Sequence, residues 1–204
     1  AFTLSAAATV KAIAVKSGMT NSAVASASFT ITAPVSSNPV AWWKLDESSG
    51  TTASDSSGNN NTGTLTNGPV WQSTGGKVGG ALSFDGVDDY ANVSSASSLN
   101  FGTGSFTVSA WIKTSALKEQ VIAMKNSNGN VGGCCGWVFF MRSDGRLQAR
   151  LRDGVSPPNH DGQISTRAVN NNSWHHVVML VDRNAQVVDS YIDGVRENIN
   201  SNIS

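Results

Sequence analysis

Residues 81–113 read ALSFDGVDDYANVSSASSLNFGTGSFTVSAWIK and contain two strand patterns on either side of an acidic turn. In residues 81–84, and again in Phe106–Ile112, larger apolar residues alternate with small or hydroxylated ones. This is the period of a strand with one buried face. The Asp-Gly pair at 85–86 starts a turn in which glycine can take positive φ, and a short strand, Tyr90–Val93, follows. The stretch therefore predicts antiparallel β structure.

The composition excludes several classes of protein. Charged residues make up 14% of the 204 residues and the formal net charge is zero, so nothing provides the basic stripe that nucleic acid requires. There is no apolar run of about 18 residues and no basic-then-apolar start, which predicts neither a membrane span nor a signal peptide. Abundant Gly, Ser, Thr, Asn and Val favour a secreted or cell-surface β protein, and we expect a monomeric piece cut from the interior of a longer, multidomain chain.

The chain is predicted to contain two domains. Residues 10–16 and 23–31 alternate small and apolar residues around a polar turn, which predicts a β-hairpin within a first domain at 1–33. Two prolines and several hydroxylated residues make 34–39 a linker. The remainder, 40–204, forms the second domain, whose first predicted strand lies at 40–47.

Four separated motifs of the second domain resemble the laminin G-like jelly rolls of the concanavalin A-like lectin/glucanase superfamily. They occur in the expected order and read ALSFDGVDDY at 81–90, FTVSAWIK at 106–113, WHHVV at 174–178 and YIDGV at 191–195. The resemblance covers 40–204 and implies an all-β, antiparallel jelly-roll sandwich.

Two further comparisons concern the ends of the chain. Residues 1–33 are similar to the last two strands of the small immunoglobulin-like module at the C-terminus of chitobiases, although a generic hairpin would look the same. Jelly rolls of this family finish with two strands that follow the segment at which this sequence stops. We therefore expect either that the last strands are missing or that the hairpin of 1–33 fills the open edge.

No pattern in the sequence predicts catalysis. Glycosidic bond hydrolysis requires a pair of carboxylates, and the β-glucanases of this superfamily carry theirs on one strand as Glu-x-Asp-x-x-Glu, a run that is absent here. Asp85, Asp88 and Asp89 lie in a tight turn, where they suit turn formation or a cation. His175 and His176 begin a strand and are expected to be structural or surface residues.

The polar loop at 55–62, DSSGNNNT, offers one carboxylate, three side-chain amides and exposed carbonyl groups. Such an oxygen-only set suits Ca²⁺, and we predict a structural calcium ion held by Asp55, Asn59 and Asn61. Related jelly rolls often hold calcium near this loop, but their late acidic residue is missing here. A plain Asn/Gly turn is the alternative.

Cys134 and Cys135 are adjacent and flanked by glycines. In an oxidising compartment they are predicted to form a vicinal disulfide, whose strained ring the flanking glycines accommodate. Two free thiols are the alternative.

The tryptophans divide into two groups. Trp43, Trp111 and Trp174 lie within strand patterns and are predicted to be core. Trp71 and Trp137 are the better candidates for exposed rings that stack on a sugar, although each could instead pack in the core or at its rim.

A second candidate for sugar contact is the strand at 146–152. Leu147, Ala149 and Leu151 alternate with polar residues, so the polar residues share the opposite face. These are Arg146, Gln148, Arg150 and Arg152, of which the last three are the predicted sugar contacts. Guanidinium and amide groups in a row can pair with hydroxyls or carboxylates, which favours an acidic glycan such as a uronate polymer. The alternatives are a solvated strand face, or a site on the loops near Trp71, Trp137 and His160.

These features together predict a non-catalytic carbohydrate-binding module of a secreted bacterial polysaccharide-degrading enzyme. Such an appendage raises the local concentration of its enzyme on an extended glycan. A protein-binding adhesion or structural module of a cell-surface protein is the alternative. A glycanase or polysaccharide lyase domain is disfavoured by the missing carboxylate run.

Overall fold

A computed structural model defines the architecture of the chain. It describes residues 8–12, 17–18, 20, 22–29, 39–94, 97–126, 136–152, 160–162 and 164–197. The chain divides into two compact units, Ala1–Pro39 and Val40–Ser204.

The first unit contains an antiparallel hairpin of β1 (Ala8–Ala12) and β2 (Ala25–Phe29). Gly18 lies between the two strands with a φ of 79°, a left-handed conformation that glycine adopts without steric cost. The predicted hairpin is confirmed, and its assignment to an immunoglobulin-like module stays a prediction.

The second unit is built of short strands. In chain order these are β3 (Thr52–Ala53), β4 (Gly63–Thr66), β5 (Val70–Gln72), β6 (Ala81–Ser83), β7 (Tyr90–Val93), β8 (Phe106–Ile112), β9 (Gln120–Asn126), β10 (Gly136–Met141), β11 (Leu147–Arg152), β12 (His160–Asp161), β13 (His175–Asp182), β14 (Val187–Ile192) and β15 (Val195–Arg196). Within the described ranges, a 3₁₀ turn at Ser97–Leu99 is the only helical segment.

Two antiparallel four-stranded sheets form the body of this unit, with strand orders β12-β11-β10-β9 and β15-β14-β13-β8. Both sheets contribute to one apolar core, since all but one of its buried members come from β10, β11, β13 and β14, and Val169 comes from the segment between β12 and β13. They are Phe139, Met141, Leu147, Ala149, Leu151, Val169, Val177, Met179, Val181, Val188 and Ile192. A core shared in this way defines a β-sandwich, which confirms the predicted fold class.

Alternation along the strands explains which residues reach the core. In β13, Val177, Met179 and Val181 are each 0% exposed, and the residues between them are half-buried. In β11 the three apolar residues are buried in the same way, as the sequence predicted. Successive side chains of a strand point to opposite faces, so each sheet also has an outer face turned away from the core.

Three smaller strands form the sheet β3-β4-β7, and β5 pairs with β6. The strand predicted at 40–47 is wrong, since Trp43 makes only an isolated bridge to Asp55 in this segment. Leu45 has a φ of 60°, which ends the extended conformation after a few residues. The apolar alternation of 40–47 therefore reflects burial without strand pairing.

Candidate functional site

The outer face of the β9–β12 sheet carries a polar cluster. In register, Gln148 of β11 lies opposite Phe140 of β10, and Arg150 lies opposite Val138. Arg142 follows β10 by one residue and reaches the same place. We call Arg142, Gln148 and Arg150 the arginine-glutamine cluster.

The side-chain carbonyl oxygen of Gln148 is the common acceptor of this cluster. It accepts a hydrogen bond from Arg142 Nη1 at 3.2 Å and a long one from Arg150 Nη2 at 3.4 Å. The Gln148 amide donates to the carbonyl oxygen of Gly162 at 3.2 Å, which fixes which way the amide points. The Arg150 guanidinium carbon lies 4.5 Å from the centre of the Phe140 ring, so the group is also held by a cation-π contact.

Two acidic residues adjoin the cluster. Asp144 binds Arg146, with Oδ2 2.7 Å from Arg146 Nη2, and this hydrogen bonding holds the pKa of Asp144 below its usual value. Arg142 Nε lies 3.8 Å from Asp144, too far for a hydrogen bond. The strands β9, β10 and β11 contain no Asp or Glu, but Asp161 of β12 lies opposite Arg150. The side chains of Arg142 and Arg150 are both half-buried.

The structure brings together only part of the predicted sugar site. Gln148 and Arg150 lie in the cluster. Arg152 ends β11, and His160 lies on β12 opposite Leu151, but the side chains of both are outside the described part of the chain. Sequence reasoning missed Arg142. The signal was present, because positions 138, 140 and 142 share one side of a continuing alternation.

Neither predicted sugar-stacking tryptophan lies in the cluster. Trp71 is half-buried on β5, and its indole nitrogen donates to the carbonyl oxygen of Gly50 at 2.7 Å. Trp137 is half-buried, shares the inner face of β10 with Phe139 and packs against the core and Phe106, which is the rim-packing alternative that the sequence left open.

The prediction that Trp111 belongs to the core is wrong. Trp111 is 43% exposed on the outer face of β8, while its neighbours Ala110 and Ile112 pack against the core. Trp43 and Trp174 are half-buried, and the Trp43 indole donates to the carbonyl oxygen of Asn61 at 2.7 Å.

Asp55 organises the polar loop that the sequence singled out. Its Oδ1 accepts hydrogen bonds from the backbone N–H groups of Trp42 and Ser57, both at 2.9 Å. Its Oδ2 accepts from Ser57 Oγ at 2.7 Å and from the Asn61 N–H at 2.8 Å. Burial raises the pKa of Asp55, but these four hydrogen bonds outweigh it and lower the pKa to about 2.

The amides of the loop converge on one carbonyl oxygen. Asn59 and Asn61 both donate to the Val40 carbonyl, at 3.0 and 2.7 Å, and Ser98 Oγ donates to Asn61 Oδ1 at 2.8 Å. The three predicted calcium ligands are thus close together, but donors already fill both oxygens of Asp55. A calcium ion would have to replace these donors, so calcium stays a prediction.

A second acidic group lies in the turn before β7. Carboxylate oxygens of Asp85, Asp88 and Asp89 lie within 4.8 Å of one another. Asp89 accepts the backbone N–H of Asp85, and the Lys118 ammonium donates to the carbonyl oxygen of Gly86. These contacts stabilise the turn.

His175 serves a structural role at the end of the β13–β14 hairpin. Its Nδ1 lies 2.8 Å from Asp193 Oδ2, and its Nε2 lies 3.0 Å from Asn171 Oδ1. The hydrogen bond from His175 lowers the pKa of Asp193, whose other oxygen accepts the His176 N–H. The pair therefore ties the start of β13 to the turn between β14 and β15.

Cys134 and Cys135 fall outside the described residues, so the vicinal disulfide stays a prediction. Within the described part of the chain, no helix has the length and apolar character to cross a membrane.

A laminin G family, described as the concanavalin A-like lectin/glucanases superfamily, matches residues 84–203. The match covers more than half of the chain, and the protein therefore belongs to this superfamily. Its sandwich and the order of its motifs agree with that membership. No curated protein matches the sequence significantly.

Two solved structures are similar. One is an S-layer domain-containing protein from Clostridium thermocellum, with 24% identity and a TM-score of 0.49 over 80% of this chain and 73% of that one. The other is the binding domain of Paraclostridial Mosquitocidal Protein 1, with 21% identity and a TM-score of 0.56. That match covers 72% of this chain and 37% of the other. At this level of identity, the second likeness supports the fold alone.

Proposed function

We propose that the Val40–Ser204 unit is a non-catalytic carbohydrate-binding module that binds an acidic polysaccharide at the arginine-glutamine cluster. The observation that carries the proposal is the convergence of two guanidinium groups on the Gln148 amide at an outer sheet face. Planar guanidinium groups pair with carboxylates through two parallel hydrogen bonds. Gln148 is itself buried, at 7% exposed. A uronate carboxylate would therefore pair with the half-buried guanidinium groups of Arg142 and Arg150, which Gln148 holds in place.

The strands β9, β10 and β11 contain no acidic residue and β12 contains one, Asp161, so the strands of this sheet offer no pair of carboxylates, which supports binding without catalysis. Hydrolysis of a glycosidic bond requires an acid and a base or nucleophile on either side of it. A module of this kind acts by holding a partner domain near its substrate, which raises the effective concentration of that domain. A secreted, polysaccharide-degrading parent protein is part of the same proposal.

The test is affinity electrophoresis in gels containing polygalacturonate, with neutral xylan as the comparison polymer. Arg142→Met and Arg150→Met each remove one guanidinium and keep an apolar stem, so packing on Phe140 is retained. We expect each to weaken retention by at least about tenfold, the scale of one charge-assisted hydrogen bond.

Arg146→Met is the matched control. It makes the same change in net charge one residue before β11, but its guanidinium is engaged by Asp144. We expect its retention to stay near that of the wild-type protein. Equal weakening in all three variants would show a general charge effect and would contradict the proposed site. No retention of the wild-type protein would contradict carbohydrate binding and favour the protein-binding alternative.

A further inference from the structure

The second sheet of the sandwich also has an aromatic residue on its outer face. Trp111 of β8 is 43% exposed, and its cross-strand partner is His176 of β13. The two rings lie 5.2 Å apart and are tilted by 49°. The Lys77 ammonium lies 5.4 Å from the indole centre. Trp111 therefore stands at the edge of the sheet between an imidazole and a cation.

The same face continues across the sheet with a mixture of hydroxyl and aromatic groups. Ser109 of β8 lies opposite Val178, which in turn lies opposite Tyr191 of β14. Ser109 is exposed, and Val178 and Tyr191 are half-buried. Such a mixture is unlike a core face or an apolar docking face, because polar donors adjoin the exposed ring.

The charges on this face leave its Trp111 end positive. Asp189 is paired with Arg196 at 2.8 Å, and Asp193 lies 4.0 Å from Arg167. Within the described ranges, neither Lys77 nor Lys113 forms an ion pair, and both are exposed. Asp182, at the end of β13 away from His176, forms no ion pair in those ranges either. The Trp111 end of the face therefore complements a negatively charged ligand.

We infer that the Trp111 face is a second polysaccharide-binding site, one that takes a uronate chain on the sheet opposite the arginine-glutamine cluster. The indole ring would contact the C–H face of a pyranose, and Lys77 and Lys113 would pair with its carboxylates. The inference rests on the proposed function, because it assigns a second site for the same class of ligand. The two sites lie on opposite outer faces of one sandwich, so a single domain could link two polysaccharide chains.

The test is calorimetric titration with an oligogalacturonate too short to reach both faces. We expect the wild-type protein to bind two equivalents. Trp111→Ala and Lys77→Gln should each remove one equivalent, Arg150→Met should remove the other, and Trp111→Ala with Arg150→Met should remove both. Melting curves of each variant establish that it is folded, and Lys77→Gln tests the face without changing the strand.

Trp42→Ala is the matched control. Trp42 is 49% exposed, and the Lys44 ammonium lies 4.7 Å from its ring, but it belongs to no strand or sheet face. This variant should still bind two equivalents. A single wild-type equivalent that Arg150→Met removes and Lys77→Gln leaves intact would overturn the second site and keep the proposed function. A single equivalent removed by Lys77→Gln but not by Arg150→Met would support the Trp111 face and overturn the cluster, and no binding would overturn both.

Discussion

Asp55 shows how one carboxylate can hold a long polar loop in place. Its four hydrogen bonds connect Trp42, 13 residues earlier in the chain, with Ser57 and Asn61 of the loop. Backbone N–H donors prefer the charged form of a carboxylate. The loop is therefore stabilised by the ionised state of a single side chain.

The contribution of Asp55 should depend on pH. Its pKa is lowered from 3.8 to about 2 in the folded protein, so its charge stabilises the fold above pH 4 and that contribution is lost as the pH falls towards 2. In urea unfolding between pH 6 and pH 2, Asp55→Asn should be less stable than the wild-type protein at the higher pH, and the two should converge at the lower.

Asp88→Asn serves as the control, because Asp88 is an exposed carboxylate of the neighbouring turn. Its stability should follow the wild-type curve. A stability difference for Asp55→Asn that is the same at every pH would show that the charge is not the cause.

The tryptophans illustrate what single positions reveal before a structure is known. Trp111 lies between Ala110 and Ile112, which both pack against the core, so alternation along the strand directs Trp111 away from the core. The prediction of burial came from the apolar character of tryptophan. Trp137 shares the parity of Phe139 and Met141 and is directed inward, although the nearby glycines and cysteines suggested exposure. In both cases, period-two alternation outweighs the character of the residue and its neighbours.

At the scale of elements, the turn between β10 and β11 positions the arginine-glutamine cluster. Gly145 has a φ of 80°, and its N–H donates to the carbonyl oxygen of Arg142 at 2.9 Å. A Cβ atom on Gly145 would lie 2.1 Å from Asn170 Oδ1. The turn therefore requires glycine both for its backbone conformation and for the close approach of Asn170.

Gly145→Ala should destabilise the protein more than Gly194→Ala. Both glycines have a φ of 80°, but nothing lies within 4 Å of a Cβ built on Gly194. Gly194→Ala therefore measures only the cost of placing alanine in the left-handed backbone conformation, a loss of about 1–2 kcal/mol in the free energy of unfolding. Gly145→Ala also displaces the Asn170 amide from the Ala116 carbonyl, so it should cost roughly 1–3 kcal/mol more. Urea unfolding of both variants measures the difference, and equal losses would contradict this account of the turn.

Strand prediction succeeded where alternation was long and regular. The strand β8 begins and ends at its predicted positions, because seven residues of alternation leave one choice of buried face. The two-residue strands β3 and β12 carry no such pattern. Residues 40–47 alternate as expected but adopt a left-handed φ at Leu45, which no residue type at that position signals.

At the scale of the whole molecule, the arrangement of the sheets and the family match both support the sandwich fold. The two four-stranded sheets share one core, and the superfamily match begins at Phe84, inside the stretch that first predicted the fold. The cluster was predicted only in part, since its arrangement depends on Arg142 reaching across a hairpin. The periodicity of one strand does not show which other strand it pairs with.

The calcium prediction is tested on the folded protein. If Asp55, Asn59 and Asn61 hold calcium, excess chelator should lower the melting temperature and added calcium should restore it, because a ligand of the folded state raises stability. Asp55→Asn should abolish this response. Loss of the response in Asp88→Asn instead would place the ion at the acidic turn. A melting curve unchanged by chelator would contradict the calcium site and would mean that the loop is held by its own hydrogen bonds.

Binding of an acidic polysaccharide without its cleavage is the central claim, and one incubation tests it most directly. The wild-type protein is mixed with polygalacturonate, bound protein is separated by sedimentation, and reducing ends and unsaturated uronates are measured in the same sample. The account predicts retention of the protein, weakened by Arg150→Met but not by Arg146→Met, with no new ends above the polymer alone. Absence of retention, or release of new ends by the purified protein, would contradict it.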